Sequence, residues 1–220
     1  RYPDQVHAVI CLAAGAQLST QGIAFNAVGR HAITSDPDWQ GGHYYGTPGP
    51  LRGLASARMM AHITYLSEIS LNHKFGRRLQ SADRLSYDIQ NEFAVESYLN
   101  HQGTRFTERF DANSYIYITK AMDYFDIVRT YGPLRDAFAA VQARYLVISY
   151  TSDWLFPTAQ SKEIVRALIA NDRDVSFVDI DSPHGHDAFL IETERLTRLT
   201  SAFLDGSQRS QPLEQRAPAR

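Results

Sequence analysis

The sequence predicts an α/β fold in which parallel strands with flanking helices are interrupted by a helical insertion. Near its start the chain has an apolar run of strand length, over residues 6–14. Two further runs, at 145–150 and 175–180, are each followed by a helical pattern, and this alternation is typical of parallel sheets. The long stretch between the first and second runs has helical stripes but no comparable strand. It is therefore predicted to be an insertion into the sheet domain.

The composition is that of an ordinary globular protein. The chain has 220 residues, of which 44% are hydrophobic and 21% charged, with a formal net charge of −2. These values exclude a disordered, collagen-like or coiled-coil chain, and they provide no long-range field to attract nucleic acid or anionic lipid. No apolar run reaches the roughly 20 residues of a membrane helix. We therefore expect a soluble protein whose partner is a small molecule or another protein.

The first element, assigned to residues 1–17, is a core strand of the sheet domain. It contains the single cysteine, Cys11, which we expect to be a small buried strand residue. With one cysteine and no secretory signal, a reducing cytoplasmic location is expected. The chain opens with Arg1 and has no initiator methionine. We therefore expect the sequence to begin inside a larger protein.

The helical insertion is assigned to residues 18–141. A turn-rich stretch within it, residues 35–53, is expected to be an ordered loop because its aromatic side chains offer surface to bury. Apolar residues at helical spacing are expected to form helical stripes. They are Leu54, Ala57, Met60, Ile63 and Tyr65 in one stripe, and Tyr115, Ile118, Met122 and Phe125 in the other.

The C-terminal strands and helices of the sheet domain are assigned to residues 142–205, and a disordered tail to residues 206–220. The run at 145–150 is almost wholly apolar, which predicts a central strand covered on both faces. The tail has one leucine, two prolines and no periodicity. Helical stripes follow both late strands, and their inward residues are predicted to be Ile164, Val165, Leu168, Ile169, Phe189, Leu190, Leu196, Leu199 and Phe203.

Chemistry-bearing residues follow the two late strands, where each strand ends. Asp153 lies just after the first of them and His186 just after the second. The carboxyl ends of neighbouring parallel strands meet at one sheet edge, about 4.8 Å apart. An acid followed one βα unit later by a histidine is the second half of the Ser, Asp, His order of α/β-hydrolases. The alternative is that each residue caps the helix that follows it.

A metal site and a phosphate site are not expected. His184 and His186 are two residues apart, but no third ligand has a suitable spacing. Gly41 and Gly42 follow no strand and precede no Gly-Lys-Ser/Thr, so they are interpreted as turn glycines.

Eight short strings, in one order along residues 1–205, carry a resemblance to a known family. They are 23–26 (IAFN), 35–39 (SDPDW), 53–59 (GLASARM), 63–67 (ITYLS), 74–77 (KFGR), 95–99 (VESYL), 109–115 (RFDANSY) and 183–190 (PHGHDAFL). In these strings the sequence resembles homoserine O-acetyltransferases of the α/β-hydrolase type. The resemblance implies the C-terminal part of an α/β-hydrolase fold with a helical lid insertion. No Gly-x-Ser-x-Gly occurs in the sequence, so we expect the chain by itself to be inactive.

The resemblance also implies a mechanism and a place in methionine biosynthesis. In the family a serine takes the acetyl group from acetyl-CoA and passes it to the hydroxyl of L-homoserine in a ping-pong reaction. Asp153 and His186 match the acid and base of the family's triad. No cofactor is implied, since acetyl-CoA is a co-substrate. Homodimers joined through the helical lid are implied as well, and an aromatic stripe that includes Tyr117 and Tyr124 suits either that interface or an ordinary core.

Three further residues match substrate-binding positions of the family. Arg58 matches an arginine for the homoserine carboxylate, and its planar fork suits that task. Asp187 matches a residue for the substrate amino group, and Tyr65, seven residues beyond Arg58, is a weaker pocket candidate. Each has an alternative role. Arg58 is otherwise a solvated or surface-paired arginine, and Asp187 is otherwise a carboxylate favoured by a helix N-terminus.

Leu155 is expected to influence the choice of acyl donor. Family members that use succinyl-CoA tend to carry arginine at this position, and a leucine offers no charge to a succinyl carboxylate, so acetyl is favoured. A serine or homoserine O-succinyltransferase or O-acetyltransferase on the same scaffold is an alternative, since one methylene discriminates by only about 1–3 kcal/mol. An esterase-like hydrolase is another.

Overall fold

The computed structural model describes residues 2–81, 84–85, 87 and 92–209. The chain forms two compact units. One, the sheet unit, contains Arg1–Ala16, Ile127–Ser182 and His186–Arg220; the other, the helical unit, contains Gln17–Asp126 and Pro183–Gly185. No helix in the described part of the chain is long and apolar enough to cross a membrane.

The regular elements alternate much as predicted. The strands are β1 (Ala8–Leu12), β2 (Arg144–Tyr150) and β3 (Val175–Ile180). The helices are α1 (Thr20–Thr34), α2 (Leu51–Tyr65), α3 (Glu68–Lys74), α4 (Ala94–Thr107), α5 (Ala112–Tyr124), α6 (Ile127–Tyr131), α7 (Leu134–Ala137), α8 (Thr158–Ile169), α9 (Ala188–Ile191) and α10 (Thr193–Arg209). Short 3₁₀ turns occur at Pro3–Gln5, Pro37–Gly42 and Gly185–Asp187.

The three described strands form one parallel sheet in the order β1-β2-β3. Leu12 lies opposite Ile148, and Tyr150 lies opposite Ile180, so the carboxyl ends of the strands share one edge. The predicted first strand is too long: Ala13 leaves the extended conformation at φ 44°, although its N–H still donates to the Ile148 carbonyl.

Apolar side chains cover both faces of β2, as its sequence predicted. Successive strand residues point to opposite faces: Ile148 and Tyr150 pack with Phe203 of α10, and Val147 packs with Leu168 of α8. Two predicted inward residues were wrong. They are Ile169, 59% exposed at the end of α8, and Leu190, 62% exposed in α9. The turn at Glu192 separates α9 from α10, which breaks the single helical stripe assumed in the prediction.

The helical unit has its own core, in which α2 packs against α1 and α4. Its buried residues are Ile33, Tyr44, Leu54, Ala57, Phe106 and Ala112. Gly53 permits the close packing of α2 on α1, since an added Cβ would clash with the backbone at Ala32 and Ile33. A second link joins α1 to α5, where Arg30 pairs with Asp123 at 2.6 Å and Asn26 donates to the same carboxylate.

The α5 stripe, for which the sequence left an interface or an ordinary core open, is largely exposed. Ile118 is 51% exposed, and Met122 and Phe125 are exposed as well. In α2, Ile63 is also exposed rather than buried. A helical stripe marks one face of a helix, but it does not say what covers that face, and on α5 the described residues leave it open.

Two predicted boundaries differ from the structure. The helical unit ends at Asp126 and not at residue 141, because α6 and α7 contribute Ile127 and Leu134 to the core beneath α8. The tail predicted from residue 206 also starts too early, since α10 continues to Arg209. Residues 210–220 lie outside the described residues.

Candidate active site

The turn after β2 holds Asp153 in a fixed orientation. Asp153 is only 3% exposed, and its Oδ1 accepts hydrogen bonds from the backbone N–H groups of Leu155 (3.0 Å) and Phe156 (2.8 Å). Because α8 begins only at Thr158, after Pro157, these bonds fix a local turn and do not cap the helix. This leaves the second carboxylate oxygen of Asp153 for another partner.

That partner is His186. Its Nδ1 lies 2.8 Å from Oδ2 of Asp153. His186 is part of the 3₁₀ turn Gly185–Asp187, which follows β3, so adjacent parallel strands deliver the two side chains. The prediction that these residues meet at one sheet edge agrees with this geometry. The alternative, that His186 caps the helix that follows it, does not agree, since Asp187 is the N-cap residue of that helix, α9.

Side chains of the two loops hold them together. Thr151 Oγ1 donates to the Asp181 carboxylate at 2.9 Å and accepts from the Ser182 N–H at 3.2 Å. Ser152 Oγ donates to the Ser182 carbonyl at 2.5 Å. No role was predicted for these hydroxyl residues from the sequence, although Thr151 and Ser152 directly precede Asp153. They fix the spacing on which the pair depends.

The surroundings of His186 define the chemistry open to it. A carboxylate accepting from Nδ1 selects the tautomer in which Nδ1 carries the proton and Nε2 carries the lone pair. Phe156 and Phe189 flank the ring, with centroids 5.2 and 5.5 Å away. The side chain of His186 is 17% exposed and that of Asp153 is fully buried. This arrangement suits a general base oriented by a buried acid.

Leu155 and Asp187 occupy the same two loops. Leu155 is half-buried and its backbone is tied to Asp153, so its position is fixed relative to the acid. Asp187 directly follows His186 and makes no side-chain capping bond to α9. The structure thus places both residues next to the acid and base pair along the chain.

Arg58 and Tyr65 lie on α2 in the helical unit. The guanidinium carbon of Arg58 lies 4.6 Å from the ring centroid of Phe106 and 5.4 Å from that of Tyr65. Its Nε is buried, and within the described residues it has no hydrogen-bond partner. Arg58 is therefore no ordinary solvated surface arginine, and Tyr65 lies beside it as the helical spacing predicted.

A further residue of this helix, His62, lies one turn beyond Arg58 and was not predicted from the sequence. His62 is 8% exposed, and neither ring nitrogen has a hydrogen-bond partner among the residues described. Its ring contacts those of Tyr65 and Tyr98, with centroids 5.7 and 5.8 Å away. Burial, with the positive charge of Arg58 adding to it, lowers the pKa of His62 to about 4. Only its spacing from Arg58 could have drawn attention to it.

The residue before His186 is held tightly within the helical unit. Gly185 has φ 73°, and an added Cβ would lie 2.8 Å from the Leu66 carbonyl carbon. Ser67 Oγ donates to the Pro183 carbonyl and accepts from the Ser70 N–H at 2.9 Å, which caps α3. Glycine is required here for both its conformation and its size.

No group of three or more metal-ligating side chains occurs in the part of the chain that the structure describes. His186 is engaged with Asp153, and no cluster forms around it and His184.

Comparison with known proteins identifies close relatives. No protein-family model matches the chain. It is 55% identical over 204 residues to a homoserine O-acetyltransferase of Methanosphaerula palustris, covering 93% of this chain and 41% of that protein. It is 53% identical over 209 residues to a homoserine O-acetyltransferase of Rhodospirillum rubrum, covering 94% of this chain and 53% of that protein. The chain thus spans about half the length of the curated relatives it matches.

Solved structures agree with the sequence comparison. The crystal structure of homoserine O-acetyltransferase from Bacillus anthracis matches with a TM-score of 0.80 at 25% identity, over 88% of this chain and 52% of that one. An α/β-hydrolase enzyme from a Medee basin deep-sea metagenome matches with a TM-score of 0.57 at 14% identity, over 97% of this chain and 60% of that one. These matches confirm the predicted fold, part of an α/β-hydrolase, and the predicted resemblance.

Proposed function

We propose that this chain, which is similar to homoserine O-acetyltransferases over 93% of its length, is part of an acyltransferase that acetylates L-homoserine. The relatives supply the name of the reaction. The observation in the structure that carries the proposal is the bond between Asp153 Oδ2 and His186 Nδ1, 2.8 Å long. An oriented acid and base pair at the carboxyl edge of a parallel sheet is what this chemistry needs from this half of the protein.

The proposed reaction has two halves. A serine in the part of the relatives that this chain does not cover attacks the thioester of acetyl-CoA, while His186 Nε2 takes its proton and CoA leaves as the thiol. The homoserine hydroxyl then attacks the acetyl carbonyl and gives its proton to His186. The ester bond to serine breaks, the serine oxygen takes that proton back from His186, and O-acetylhomoserine leaves. Asp153 keeps the imidazole in one tautomer and stabilises the imidazolium that forms in each half. No cofactor is proposed, because acetyl-CoA supplies the acyl group.

The substrate roles follow the resemblance. Arg58 binds the carboxylate of homoserine, Asp187 its amino group, and Tyr65 lines the pocket. Support for the first comes from the buried Nε of Arg58, a hydrogen-bond donor that no described residue satisfies. Leu155 favours an acetyl over a succinyl donor because it offers no cation to a second carboxylate.

The experiment uses the complete open reading frame that encodes this chain. CoA release is measured with acetyl-CoA or succinyl-CoA, each with L-homoserine, L-serine or no acceptor. We expect sustained CoA release, beyond the single equivalent set free as the acyl-enzyme forms, to depend on acetyl-CoA and L-homoserine together. All CoA release should be lost in His186→Ala. His101→Ala, on an exposed position of α4, is the matched control and should retain activity.

The other outcomes identify the alternatives. Equal release without an acceptor would indicate an esterase-like hydrolase, and a preference for serine or succinyl-CoA would indicate a different transferase on this scaffold. Activity that survives His186→Ala would reject the proposed mechanism.

An exposed apolar surface of the helical unit is proposed as the interface of a homodimer. The exposed apolar residues of α1, α5 and the turn after α5 are Ile23, Val28, Tyr117, Ile118, Met122, Tyr124 and Phe125. An apolar face of this kind is costly to leave in water, and a second copy of the chain is the occupant that the resemblance implies. Sedimentation of the complete protein should give a dimer, and Ile118→Asp should shift it toward monomer.

A cytoplasmic location is also proposed. The single thiol, Cys11, is partly buried in β1 and has no disulfide, and burial raises its pKa, which keeps it protonated. Fractionation of cells that express the complete protein tests this location.

A further inference from the structure

We propose that His62 is a second recognition residue for the carboxylate of the acceptor amino acid, acting beside Arg58 in the helical unit. The inference rests on the proposed function, since that function supplies an amino acid as acceptor. It assigns to His62 a direct hydrogen bond to the ligand.

The first step is the burial of an unsatisfied imidazole. His62 is only 8% exposed, and both of its ring nitrogens lack a hydrogen-bond partner among the described residues. The rings of Tyr65 and Tyr98 pack against it and do not satisfy the ring N–H. Buried polar groups in folded proteins are nearly always hydrogen-bonded, so an exception calls for an explanation such as a bound water, an ion or a ligand. A polar ligand that enters this region supplies one.

The second step is the match between His62 and Arg58. They are four residues apart on α2, so they lie on the same helix face. Arg58 Nε–H is also a buried donor without a partner in the described chain. Two unsatisfied donors therefore occur one helical turn apart. A carboxylate has two oxygens and about four acceptor positions, so it can accept from both at once.

The third step is the charge around the ring. The positive charges of Arg58 on the same helix, Lys74 on α3 and Arg109 after α4 act on His62 and, after burial, lower its pKa further. Lys74 Nζ lies 4.2 Å from the ring centroid of Tyr98, which also contacts His62. These charges, together with burial, keep His62 neutral at pH 7, and they favour an anionic ligand over a cationic one. The neutral ring then gives one N–H without adding a further charge.

The test measures acceptor binding and acyl-enzyme formation separately in the complete protein. Binding of L-homoserine is measured by calorimetry in a His186→Ala background, which cannot turn over. We expect His62→Phe, which keeps a flat ring but removes its hydrogen bonds, to weaken binding by about 5- to 100-fold. His62→Asn retains an N–H donor and should recover part of the loss. With His186 intact, the rate of CoA release from acetyl-CoA without acceptor should stay unchanged in both variants.

Thr64→Val is the matched control. Thr64 is a buried polar residue of the same helix, but its hydroxyl is satisfied by the Ala61 carbonyl at 2.8 Å, so its loss should leave homoserine binding unchanged. The inference is overturned if His62→Phe binds L-homoserine normally. It is also overturned if binding and acceptor-free CoA release fall together, because that pattern indicates a structural role.

Failure of the proposed function gives a different result. If the unsubstituted protein transfers no acetyl group to L-homoserine, the proposed function fails. The His62 inference is then decided by calorimetry alone: homoserine binding that depends on both Arg58 and His62 supports it, and absence of binding overturns it.

Discussion

Nδ1 of His186 lies 2.8 Å from Oδ2 of Asp153, and the other oxygen of that carboxylate accepts two backbone N–H groups. The acid is thus held on one side by the main chain and presents its second oxygen to the histidine. The turn after β2 builds this support from residues adjacent in sequence. The Asp153 carboxylate therefore fixes which tautomer of the imidazole is present, and the hydroxyl bonds between the two loops hold the two residues at this spacing.

Asp153→Asn tests this dependence. An amide at this position can donate to Nδ1, which would favour the tautomer with the proton on Nε2 and remove the base. We expect kcat to fall by about 10⁴-fold with the fold retained, measured as CoA release by the complete protein. Asp181→Asn, in the adjacent loop, is the control and should lose less than about tenfold. An Asp153→Asn protein with near-normal kcat would contradict the assigned role.

Loss of Asp123 should destabilise the helical unit. Its carboxylate pairs with Arg30 and accepts from Asn26, and the Arg30 and Asp123 side chains are 11% and 7% exposed. Asp123→Ala leaves a nearly buried guanidinium unpaired, which costs about 3–5 kcal/mol of unfolding free energy. Denaturant unfolding measures it. Glu108→Ala breaks the exposed pair with Arg105 and should cost about 1 kcal/mol or less. Similar effects of the two substitutions would refute the argument.

Gly185→Ala should lower the stability of the protein more than the replacement of a glycine whose only requirement is a positive φ. Both Gly185 and Gly46 have positive φ, 73° and 93°, which costs an alanine about 1–2 kcal/mol. A Cβ at Gly46 meets nothing within 4 Å, whereas one at Gly185 meets the backbone of Leu66 and Ser67. The melting temperature of Gly185→Ala should therefore lie clearly below that of Gly46→Ala. Equal melting temperatures would show that the backbone around Ser67 shifts to accommodate the added Cβ without loss of stability.

The central strand β2 could be predicted from sequence because burial on both faces leaves a continuous apolar run. The bounds of β2 and β3 were predicted almost to the residue, and the meeting of Asp153 with His186 followed from their positions after those strands. For these residues the local sequence pattern and the tertiary packing lead to the same structure.

Local sequence does not determine the environment of a side chain where that environment depends on what packs against its helix. Ile118 belongs to a regular stripe, yet it faces outward because no described residue covers α5 there. His62 looks like any polar residue of a helix in sequence. Its importance comes from the loss of every hydrogen-bond partner on burial, which no spacing of residues encodes.

The stability of the helical unit should depend on pH through His62. Its pKa is about 4 in the folded protein and about 6.5 in an unfolded chain, so between these values the unfolded chain binds more protons. Stability therefore rises with pH across this window. The contribution of His62 is complete above pH 6.5 and is lost as the pH falls toward 4. The ceiling on this loss is about 3 kcal/mol.

Unfolding free energies at pH 7 and pH 4.5 measure this effect, and His62→Phe removes the group that titrates. We expect the difference between the two pH values to be smaller in His62→Phe than in the unsubstituted protein, while Thr64→Val retains the full difference. An unchanged pH dependence in His62→Phe would mean that another group is responsible. It would also indicate that His62 is hydrated enough in the folded protein to accept a proton, which would weaken the case for a neutral ring beside Arg58.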